Sequence, residues 1–345
     1  MATVGRGSSA KPSTILDVAA AAGVSRQTVT RALNDLPDVS PATKQRVQDA
    51  AAALNYRPNR AAQRLVRGGD ATLGFVVGDL RNPYYPQLAA ELTRRAAEHD
   101  WGVVITDLAG RHGAERVEAM ASRVDAVVGH LGPEHSDLVP ARVPTVLLGE
   151  CAEDSAEHAQ DAPPEPADGR AQVRFDYAGG MRDAVAHLVA TGRRHVAMID
   201  SEASPTPRAR LLLAALRERG LEPATVIPAP DTHEGGVAAA RRVLDAARDA
   251  GTTADAVLCF NDVLAVGALK GFARAGIRVP QDVAVIGIDG LDIGTLVTPE
   301  LTTLAVDMRR LASHAIDLVD ALLKGESGDE LRRTVTHRLV LRESA

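Results

Sequence analysis

Most of the sequence repeats one pattern, in which a short apolar run is followed by an alanine-rich stretch of helical length. The predicted strands are 73–77, 102–106, 126–128, 145–148, 195–199, 256–260 and 283–288, and the predicted helices include 85–99, 179–191, 208–219, 235–250 and 264–275. This alternation predicts parallel β-sheets with helices on both faces. With 345 residues, 45% of them hydrophobic, the chain is long enough for two or three domains.

The segment before residue 70 has a different pattern, with three short predicted helices and no predicted strand. The first helix spans 15–22 and ends at Gly23, and the second spans 26–33 with Ser25 as its N-cap. The third begins after Ser40, with Pro41 in the first helical position, and runs to about residue 54. The sequence therefore predicts a small all-α module in front of a larger α/β body.

The first two predicted helices have the spacing of a helix-turn-helix over residues 14–34. In this motif the second helix enters the DNA major groove, so it needs a tight turn before it and long polar side chains at its start. Arg26 and Gln27 stand there, and arginine can pair with guanine while glutamine can pair with adenine. The pattern favours DNA binding over the alternative, a solvated helix face on an ordinary three-helix module.

The distribution of charge supports the same interpretation. Residues 1–69 contain ten Lys or Arg and four Asp, a net charge of +6, whereas the whole chain carries −6 and the remainder therefore −12. A basic module on an acidic body can bind a polyanion while the body stays away from the DNA.

Motifs that would indicate an enzyme or a metal site are missing from the sequence. There is no nucleophile elbow, Walker loop, dinucleotide-binding glycine turn or metal-ligand pair, so no cofactor and no catalytic residue is predicted. Cys151 and Cys259 lie far apart and predict neither a disulfide nor a zinc site. His130 and His135 fall in a predicted loop and are interpreted as solvent-exposed.

The sequence predicts a cytoplasmic protein without membrane partners. No apolar run reaches the roughly 18 residues of a membrane helix, and the first 11 residues lack the apolar core of a secretory signal. One stretch, 151–170, has six acidic residues, three prolines and one arginine without periodicity, and is predicted to be a mobile acidic loop.

Several motifs carry a family resemblance. The segment TILDVAAAAGVSRQTVTRALN at 14–34, followed by NYRPN at 55–59, resembles the start of lac repressor (LacI/GalR) family regulators. The likeness continues through LGFVV at 73–77, NPYY at 82–85, FND at 260–262, VPQDVAVIGID at 279–289, TPELTT at 298–303 and RLVLRES at 338–344. The resemblance implies an all-α helix-turn-helix headpiece and an α/β, periplasmic-binding-protein-like body of two lobes with a ligand cleft.

The resemblance also implies where the domains divide. The headpiece would span 1–58, a hinge helix or linker 59–69, and the ligand-sensing domain 70–345. The first lobe of that domain would contain about 70–174 and 305–333, and the second about 175–304 and 334–345.

The resemblance assigns the DNA-contacting residues. Arg26, Gln27 and Arg31 would read bases, and Ser25, Thr28, Thr30 and Asn34 would contact or face phosphates, with Tyr56 and Asn59 also placed at the DNA. Leu65 would enter the minor groove as an apolar wedge that unstacks a base step. The alternative for Leu65 is packing against its own body domain.

The resemblance places the ligand between the lobes. Asn82, Tyr84 and Tyr85 would line the cleft from the first lobe, and Arg208, Asn261 and Asp289 from the second. The alternatives are packing at the start of a helix for the two tyrosines and helix capping for Asn261. The chain departs from the family at 149–150, where Gly-Glu replaces the Asp-Arg often found in members that bind sugars.

Together these features predict a sequence-specific transcriptional regulator, a repressor that binds a pseudo-palindromic operator as a homodimer. A small polar effector, a sugar or related metabolite, would control it allosterically. Two alternatives are a solute-binding protein and an α/β enzyme without DNA function, and the basic helix-turn-helix argues against both.

Overall fold

The computed structural model describes residues 15–33, 39–54, 71–150, 170–222, 225–326 and 331–345. The chain divides into two compact units, Met1–Gly69 and Asp70–Ala345. Several predictions lie outside the described residues, namely the hinge segment 59–69 with Asn59 and Leu65, the DNA contacts Asn34 and Tyr56, and the acidic stretch 151–169.

The described part of the first unit contains the three predicted helices: α1 (Ile15–Ala22), α2 (Arg26–Leu33) and α3 (Pro41–Ala53). Gly23 ends α1 with φ +63°, a left-handed conformation that glycine adopts without a steric penalty. Ser25 caps α2, since its Oγ accepts the N–H of Thr28 at 3.1 Å. Arg46 on α3 donates through Nε to the Ala22 carbonyl at 3.1 Å, and so provides a hydrogen-bond partner for a carbonyl at the C-terminal end of α1.

A small core holds these three helices together. Its buried residues are Val18, Ala19, Ala22, Val29, Ala32, Val39, Val47 and Ala51. Val29 and Ala32 both lie on the inner face of α2, which leaves the opposite face of that helix to solvent.

The second unit alternates strands and helices. Its elements in chain order are β1 (Thr72–Val77), α4 (Tyr84–Ala97), β2 (Gly102–Asp107), α5 (Gly113–Ala121), β3 (Ala126–Gly129), β4 (Thr145–Glu150), β5 (Arg170–Asp176), α6 (Ala178–Ala190), β6 (Val196–Ser201), α7 (Pro207–Glu218), β7 (Thr225–Ala229), α8 (His233–Asp249), β8 (Ala256–Cys259), α9 (Asp262–Arg274), β9 (Ala284–Asp289), β10 (Thr302–Ala305), α10 (Met308–Leu323), β11 (Arg332–Thr336) and β12 (Arg338–Val340). Short 3-10 helices occupy Pro133–Leu138 and Asp292–Thr295.

The strands form two six-stranded sheets, one in each lobe. The first sheet has the order β11-β5-β4-β3-β1-β2 and is parallel throughout. The second has the order β12-β10-β9-β8-β6-β7 and is parallel except for β12, which runs antiparallel to β10. The predicted parallel architecture is confirmed, although the sequence pattern did not predict β5, β7, β10, β11, β12, α5 or α10.

The chain passes between the two sheets three times. The crossings lie after β5, after β10 and between β11 and β12. The first and third crossings are hydrogen-bonded to each other, because the N–H of His337 donates to the Asp176 carbonyl at 2.8 Å. Two of the three segments that join the lobes are therefore bonded to each other through their backbones.

Helices cover both sheets and bury the central strands on both faces, as parallel strands require. Every residue of β6, β8 and β9 is buried. Strand β2 differs, since it lies at an edge of its sheet and leaves Val104 and Ile105 exposed. Within the described residues, no helix is long and apolar enough to cross a membrane.

Helices α8 and α9 approach each other closely through glycine. A Cβ added to Gly267 on α9 would lie 2.1 Å from the His233 carbonyl oxygen, and one added to Gly236 on α8 would lie 2.2 Å from the Leu264 carbonyl oxygen. Both contacts are with backbone, which cannot move aside without separating the helices. The sequence therefore needs glycine at both positions.

We expect Gly267→Ala to destabilise the second unit by roughly 1–3 kcal/mol, because the new methyl group forces these helices apart. The matched control is Gly179→Ala on α6, where an added Cβ meets nothing within 4 Å. Alanine there should be neutral or mildly stabilising, since it reduces the freedom of the unfolded chain. Chemical denaturation of both variants measures the difference, and equal stabilities would refute the close-approach argument.

Candidate functional site

The candidate cleft residues lie at the carboxyl ends of parallel strands in both sheets. His130 follows β3 in the first sheet, while Phe260 follows β8 and Asp289 ends β9 in the second. Ligands of open parallel sheets bind at this edge, where loops and helix starts converge. The fold therefore directs polar and aromatic side chains of both lobes to one region.

Arg208 is positioned by buried hydrogen bonds at the start of α7. The Oδ1 and Oδ2 atoms of the buried Asp200 accept from the Thr206 hydroxyl at 2.7 Å and the Thr206 N–H at 3.0 Å. The Thr206 hydroxyl in turn accepts the N–H of Ala209 at 3.3 Å and caps the helix. The end of β6 thus fixes where α7 begins and where Arg208 projects.

The Arg208 guanidinium lies between two aromatic rings and is almost buried. Its Cζ is 4.7 Å from the centre of the Tyr177 ring and 4.2 Å from that of Phe260. Nη1 donates to the Phe260 carbonyl at 2.5 Å and Nη2 to the Tyr177 hydroxyl at 2.8 Å. Nη1 also lies 3.8 Å from Oδ1 of Asp289, and this carboxylate compensates the positive charge of the guanidinium.

Asp289 is held in an unusual backbone conformation, with φ +122°. Such a conformation costs a non-glycine residue on the order of 1–3 kcal/mol and points to a functional constraint. The following loop is fixed by Asp262, whose carboxylate accepts the Leu291 N–H and the Thr303 hydroxyl, both at 2.7 Å. Burial raises the pKa of Asp262 to about 6, and these hydrogen bonds oppose that increase.

The first lobe contributes a cluster of rings. Tyr84 and Tyr85 begin α4, and their ring centres lie 5.3 Å apart in an edge-to-face contact. His130 contacts both tyrosines, with ring centres at 5.4 Å in each case, and Phe175 lies 5.7 Å from His130. Aromatic pairs at these separations attract each other beyond the apolar area that they bury.

The crossing segments extend this cluster towards the second lobe. Tyr177 and His337 are stacked, with ring centres 4.0 Å apart, and each also contacts Phe175. Because Tyr177 also accepts from Arg208, the ring contacts run without interruption from Tyr84 to the second lobe.

Burial sets the protonation of the groups around the cleft. It lowers the pKa of His130 to about 4 and that of His337 to about 3, and the positive charge of Arg208 lowers both further. Burial also raises the pKa of Tyr84, with a smaller contribution from Asp289. At neutral pH both histidines are therefore uncharged, and each can offer one donor and one acceptor.

Four of the six predicted ligand residues come together here: Tyr84, Tyr85, Arg208 and Asp289. The side chains of the other two form local hydrogen bonds, since the carboxamide oxygen of Asn82 accepts the Tyr84 N–H at 3.0 Å and that of Asn261 accepts the Leu264 N–H at 2.8 Å. Asn261 is thus the N-cap of α9.

The interpretation of His130 as solvent-exposed is wrong, because its ring packs on three aromatic rings and its Nε2 is buried. The sequence reasoning also missed Phe175, Tyr177, Phe260 and His337. The scarcity of aromatic residues in the sequence could have indicated these residues. The chain has four Tyr, four Phe and one Trp, and three of the Tyr and two of the Phe lie around this cleft.

The two lobes also touch at Gln87 and Asp292. The Asp292 N–H donates to the Gln87 side-chain oxygen at 3.4 Å, and the bond lies at an exposed position. This hydrogen bond joins α4 of the first lobe to the loop that follows β9.

Among the described residues, no group of three His, Cys, Asp or Glu could hold a metal ion.

In the first unit, the outer face of α2 presents the predicted base-reading side chains. Arg26, Gln27 and Arg31 are exposed, as is Ser25 before the helix. Two further predicted phosphate contacts, Thr28 and Thr30, are partly buried and bonded locally. The Thr28 hydroxyl lies 2.9 Å from that of Ser25, and Thr30 donates to the Arg26 carbonyl at 3.1 Å.

A helix-turn-helix unit followed by two α/β lobes with a polar and aromatic cleft defines the class of DNA-binding regulators under ligand control. Comparison with known families agrees. Residues 14–59 match the model of bacterial regulatory proteins of the lacI family, and residues 185–345 match that of the periplasmic binding protein-like domain.

Individual relatives give the same answer. The HTH-type transcriptional regulator DegA of Bacillus subtilis is 30% identical over 342 residues, covering 96% of this chain and 97% of that protein. A LacI family regulator from Arthrobacter sp. FB24, solved in complex with lactose, is 34% identical with a TM-score of 0.69, covering 80% of this chain and all of that one. The lac repressor dimer bound to operator and the anti-inducer ONPF is 28% identical with a TM-score of 0.63, covering 97% and 99%. The chain belongs to the lacI family of bacterial regulatory proteins, and it is a transcriptional regulator and not an enzyme.

The two buried histidines predict a loss of stability in mild acid. The unfolded chain protonates histidine below about pH 6.5, whereas the folded chain holds His130 and His337 neutral down to about pH 4 and 3. The free energy of unfolding should therefore fall as the pH drops from 6.5 towards 4, by roughly 1–2 kcal/mol per histidine at pH 5.

Denaturation curves of His130→Phe and His337→Phe at pH 7.5 and pH 5 measure this effect. Each variant should lose less stability than the wild type between the two pH values. The control is His112→Phe, since the His112 side chain is 69% exposed. The argument fails if the histidine-to-phenylalanine changes in the cleft leave the pH dependence as steep as the control does.

Proposed function

We propose that this regulator represses transcription by binding a pseudo-palindromic operator as a homodimer, and that a small polar effector in the cleft controls its DNA binding. The observation that carries the proposal is the pair of exposed base-reading side chains, Arg26 and Gln27, in a chain that also holds Arg208 and Asp289 in a cleft. The first unit is proposed to bind DNA, and the second is proposed to bind the effector.

The DNA-binding half of the proposal rests on α2. An arginine and a glutamine at the start of a recognition helix can each make two hydrogen bonds to a base edge in the major groove. Arg31 lies one turn further on the same exposed face. The net charge of +6 on residues 1–69 adds a sequence-independent attraction to the phosphates.

The rest of the DNA contact is proposed from the family. Ser25, Thr28, Thr30 and Asn34 contact phosphates, Tyr56 and Asn59 contact the DNA, and Leu65 enters the minor groove from the hinge segment. A two-fold operator fits a two-fold protein, and the related lac repressor was solved as a dimer on its operator. The headpiece is proposed to be 1–58, the hinge segment 59–69, and the sensing domain 70–345 with the lobe limits given above. The protein is proposed to act in the cytoplasm, on the nucleoid.

The effector half rests on the cleft. Arg208 and Asp289 offer charged hydrogen-bonding groups beside the faces of Tyr177 and Phe260. Hydroxyl groups on a ring that also has an apolar face fit this combination, and the Arthrobacter relative was solved with lactose. We propose a sugar or a related polyhydroxylated metabolite, with Asn82, Tyr84, Tyr85 and Asn261 as further lining residues.

The crossings between the lobes support the proposed allosteric control. Tyr177 and His337 lie in two of the three segments that join the lobes and contact the cleft cluster directly. A ligand that changes the angle between the lobes must bend these segments. Allosteric control is then a difference in ligand affinity between two lobe arrangements.

We expect Arg26→Ala to weaken binding to the preferred operator by roughly 1–3 kcal/mol and to relax sequence preference. Selection from random DNA followed by titration of the full-length protein measures both effects. The control is Lys44→Ala on α3, which removes the same charge away from the recognition helix. Lys44→Ala should weaken binding to all sequences alike. If the two variants select the same sequences as the wild type, Arg26 does not read a base.

We expect Asp289→Asn to abolish the effector response while DNA binding without effector is retained. The change keeps the shape of the side chain and removes the charge that orients Arg208. The readout is operator affinity with and without the effector identified by a thermal-shift screen, in which a ligand at 100 times its Kd stabilises by about 2.7 kcal/mol. Asp292→Asn, at the exposed edge of the cleft, serves as the control. A normal response from Asp289→Asn would show that the effector binds elsewhere.

A further inference from the structure

A cavity of about 770 Å³ lies in the second lobe, outside the cleft. Its walls come from α8, from the end of α9 and from the loops that lead into β8 and β9. These loops stand at the amino ends of two parallel strands, whereas the cleft residues of the same sheet lie at the carboxyl ends. The cavity and the cleft are therefore at opposite edges of the second sheet.

The cavity forms because α8 is longer than α9. The helices have 17 and 13 residues and run in the same direction, since each leads back to the start of a parallel strand. They meet at Gly271, where an added Cβ would lie 2.6 Å from Ala240 Cβ and 2.8 Å from the Val237 carbonyl oxygen. Gly271 is three residues from the end of α9, whereas Ala240 is nine residues from the end of α8. Helix α8 therefore extends about 9 Å beyond α9 and leaves space beside its last turns.

The floor of the cavity is apolar. Its lining includes Leu244, Ala247, Ala254 and Ile277, all partly exposed, and the buried Val283. Leu244, Ala254 and Ile277 pack against a buried apolar cluster of the second lobe, which holds them in place. A hydrocarbon group that covers such side chains gains free energy. The volume is also in the range of small-molecule sites, roughly 300–1,000 Å³.

The rim of the cavity carries arginines that are not fully neutralised. Arg241, Arg248 and Arg274 line it together with Asp245 and Asp282. Asp245 is shared by two of the arginines, since its carboxylate lies 2.9 Å from Arg248 Nη1 and 3.8 Å from Arg241 Nε. One negative charge thus faces two positive charges on α8.

The second aspartate of the rim is already paired with a fourth arginine. Arg278 donates through Nε to Asp282 Oδ2 at 2.9 Å, and this hydrogen bonding lowers the pKa of the Asp282 carboxyl to about 2. Within the part of the chain that the structure describes, no carboxylate pairs with the exposed Arg274. Four arginines around the cavity therefore stand against two aspartates, and the Arg274 guanidinium is the one open to an outside anion.

We propose that this cavity is a second ligand site of the regulator, and that it takes a small amphipathic carboxylate, a molecule with a hydrocarbon body and one anionic group. The body covers the apolar floor. The carboxylate binds Arg274, whose guanidinium offers two parallel N–H donors. A cation is repelled by the excess of arginine, and an uncharged molecule of the same shape gains only the apolar contact. Because the site is separate from the cleft, it does not depend on the effector proposed above.

Arg274 has a matched control at the end of another helix. Arg274 is in the last turn of α9 and Arg217 in the last turn of α7, and both are exposed. Each arginine therefore interacts favourably with the dipole of its own helix. Arg217 does not line the cavity. Arg274→Gln and Arg217→Gln remove the same charge from equivalent helix positions, and only the first should affect ligand binding.

The experiment uses the full-length protein, labelled at the isoleucine δ1 methyl groups for NMR. Ile277 reports on the cavity, and Ile288, which precedes Asp289, reports on the cleft. The changes Ile277→Val and Ile288→Val assign the two signals. The ligands tested are 4-phenylbutyrate and octanoate, with 4-phenylbutan-1-ol and octan-1-ol as uncharged counterparts and 4-phenylbutylamine as the cationic one.

We expect a carboxylate to shift the Ile277 signal until it saturates and to leave the Ile288 signal in place. The carboxylate should bind at least tenfold more tightly than its alcohol, and the amine more weakly than the alcohol, because a hydrogen-bonded charge pair is lost. Arg274→Gln should reduce carboxylate affinity to that of the alcohol, and Arg217→Gln should leave it unchanged. A further variant, Ala247→Leu, fills part of the floor and should weaken the carboxylate and the alcohol alike.

Four results would overturn the inference. They are no shift of Ile277 with either carboxylate, equal affinity for a carboxylate and its alcohol, equal affinity of Arg274→Gln and Arg217→Gln, and a shift of Ile288 in place of Ile277. The last result would show that the carboxylate enters the cleft. Both arginine changes are at exposed positions, so the comparison does not depend on a variant that disturbs the core.

Discussion

The burial of the Arg208 guanidinium is the physical constraint on which the rest of the cleft depends. A cation with so little exposure needs acceptors on several sides, and it finds the Phe260 carbonyl, the Tyr177 hydroxyl and the Asp289 carboxylate. Two aromatic faces supply further attraction for the planar cation. These partners come from a crossing segment and from the ends of β8 and β9, so one side chain ties together three separate parts of the fold.

The environment of Arg208 also explains features that look unrelated. Its charge acts against protonation of both buried histidines, which stay neutral. Its partner Asp289 has a strained backbone, and the surrounding structure offsets that strain through Asp262, which fixes the next loop by two short hydrogen bonds. The strain at Asp289 is thus offset by residues outside the Arg208–Asp289 pair.

The sequence predicted the headpiece more completely than the body. Helices α1 and α2 follow directly from Gly23 and Ser25, whose roles in ending and capping a helix are local. Strand β5 was not predicted because it lacks the continuous apolar run of the predicted strands; its polar and apolar residues alternate instead, and it pairs with β4 and β11. Helix α10 was not predicted, although its buried residues recur at helical spacing.

The residues of the cleft also differ in whether the sequence predicts them. Asp289 could be predicted because it ends a long motif, 279–289, that resembles a known family, and Arg208 because its position matches one from which that family lines the cleft. His337 could not, because its role depends on the stack with Tyr177, a residue 160 positions earlier in the chain, and on the crossing of two backbone segments. His130 was misinterpreted for the same reason, since a loop position in the sequence says nothing about which rings cover it.

The scarcity of aromatic residues has an optical consequence. Tyr84, Tyr85 and Tyr177 all lie in the cleft cluster, whereas the single tryptophan, Trp101, precedes β2 and contacts His99 with ring centres 5.0 Å apart. Ultraviolet absorbance of the phenol rings therefore reports chiefly on the region between the lobes, and indole emission reports on the first lobe alone. The chain carries two intrinsic chromophores that separate what happens at the cleft from what happens to the scaffold around it.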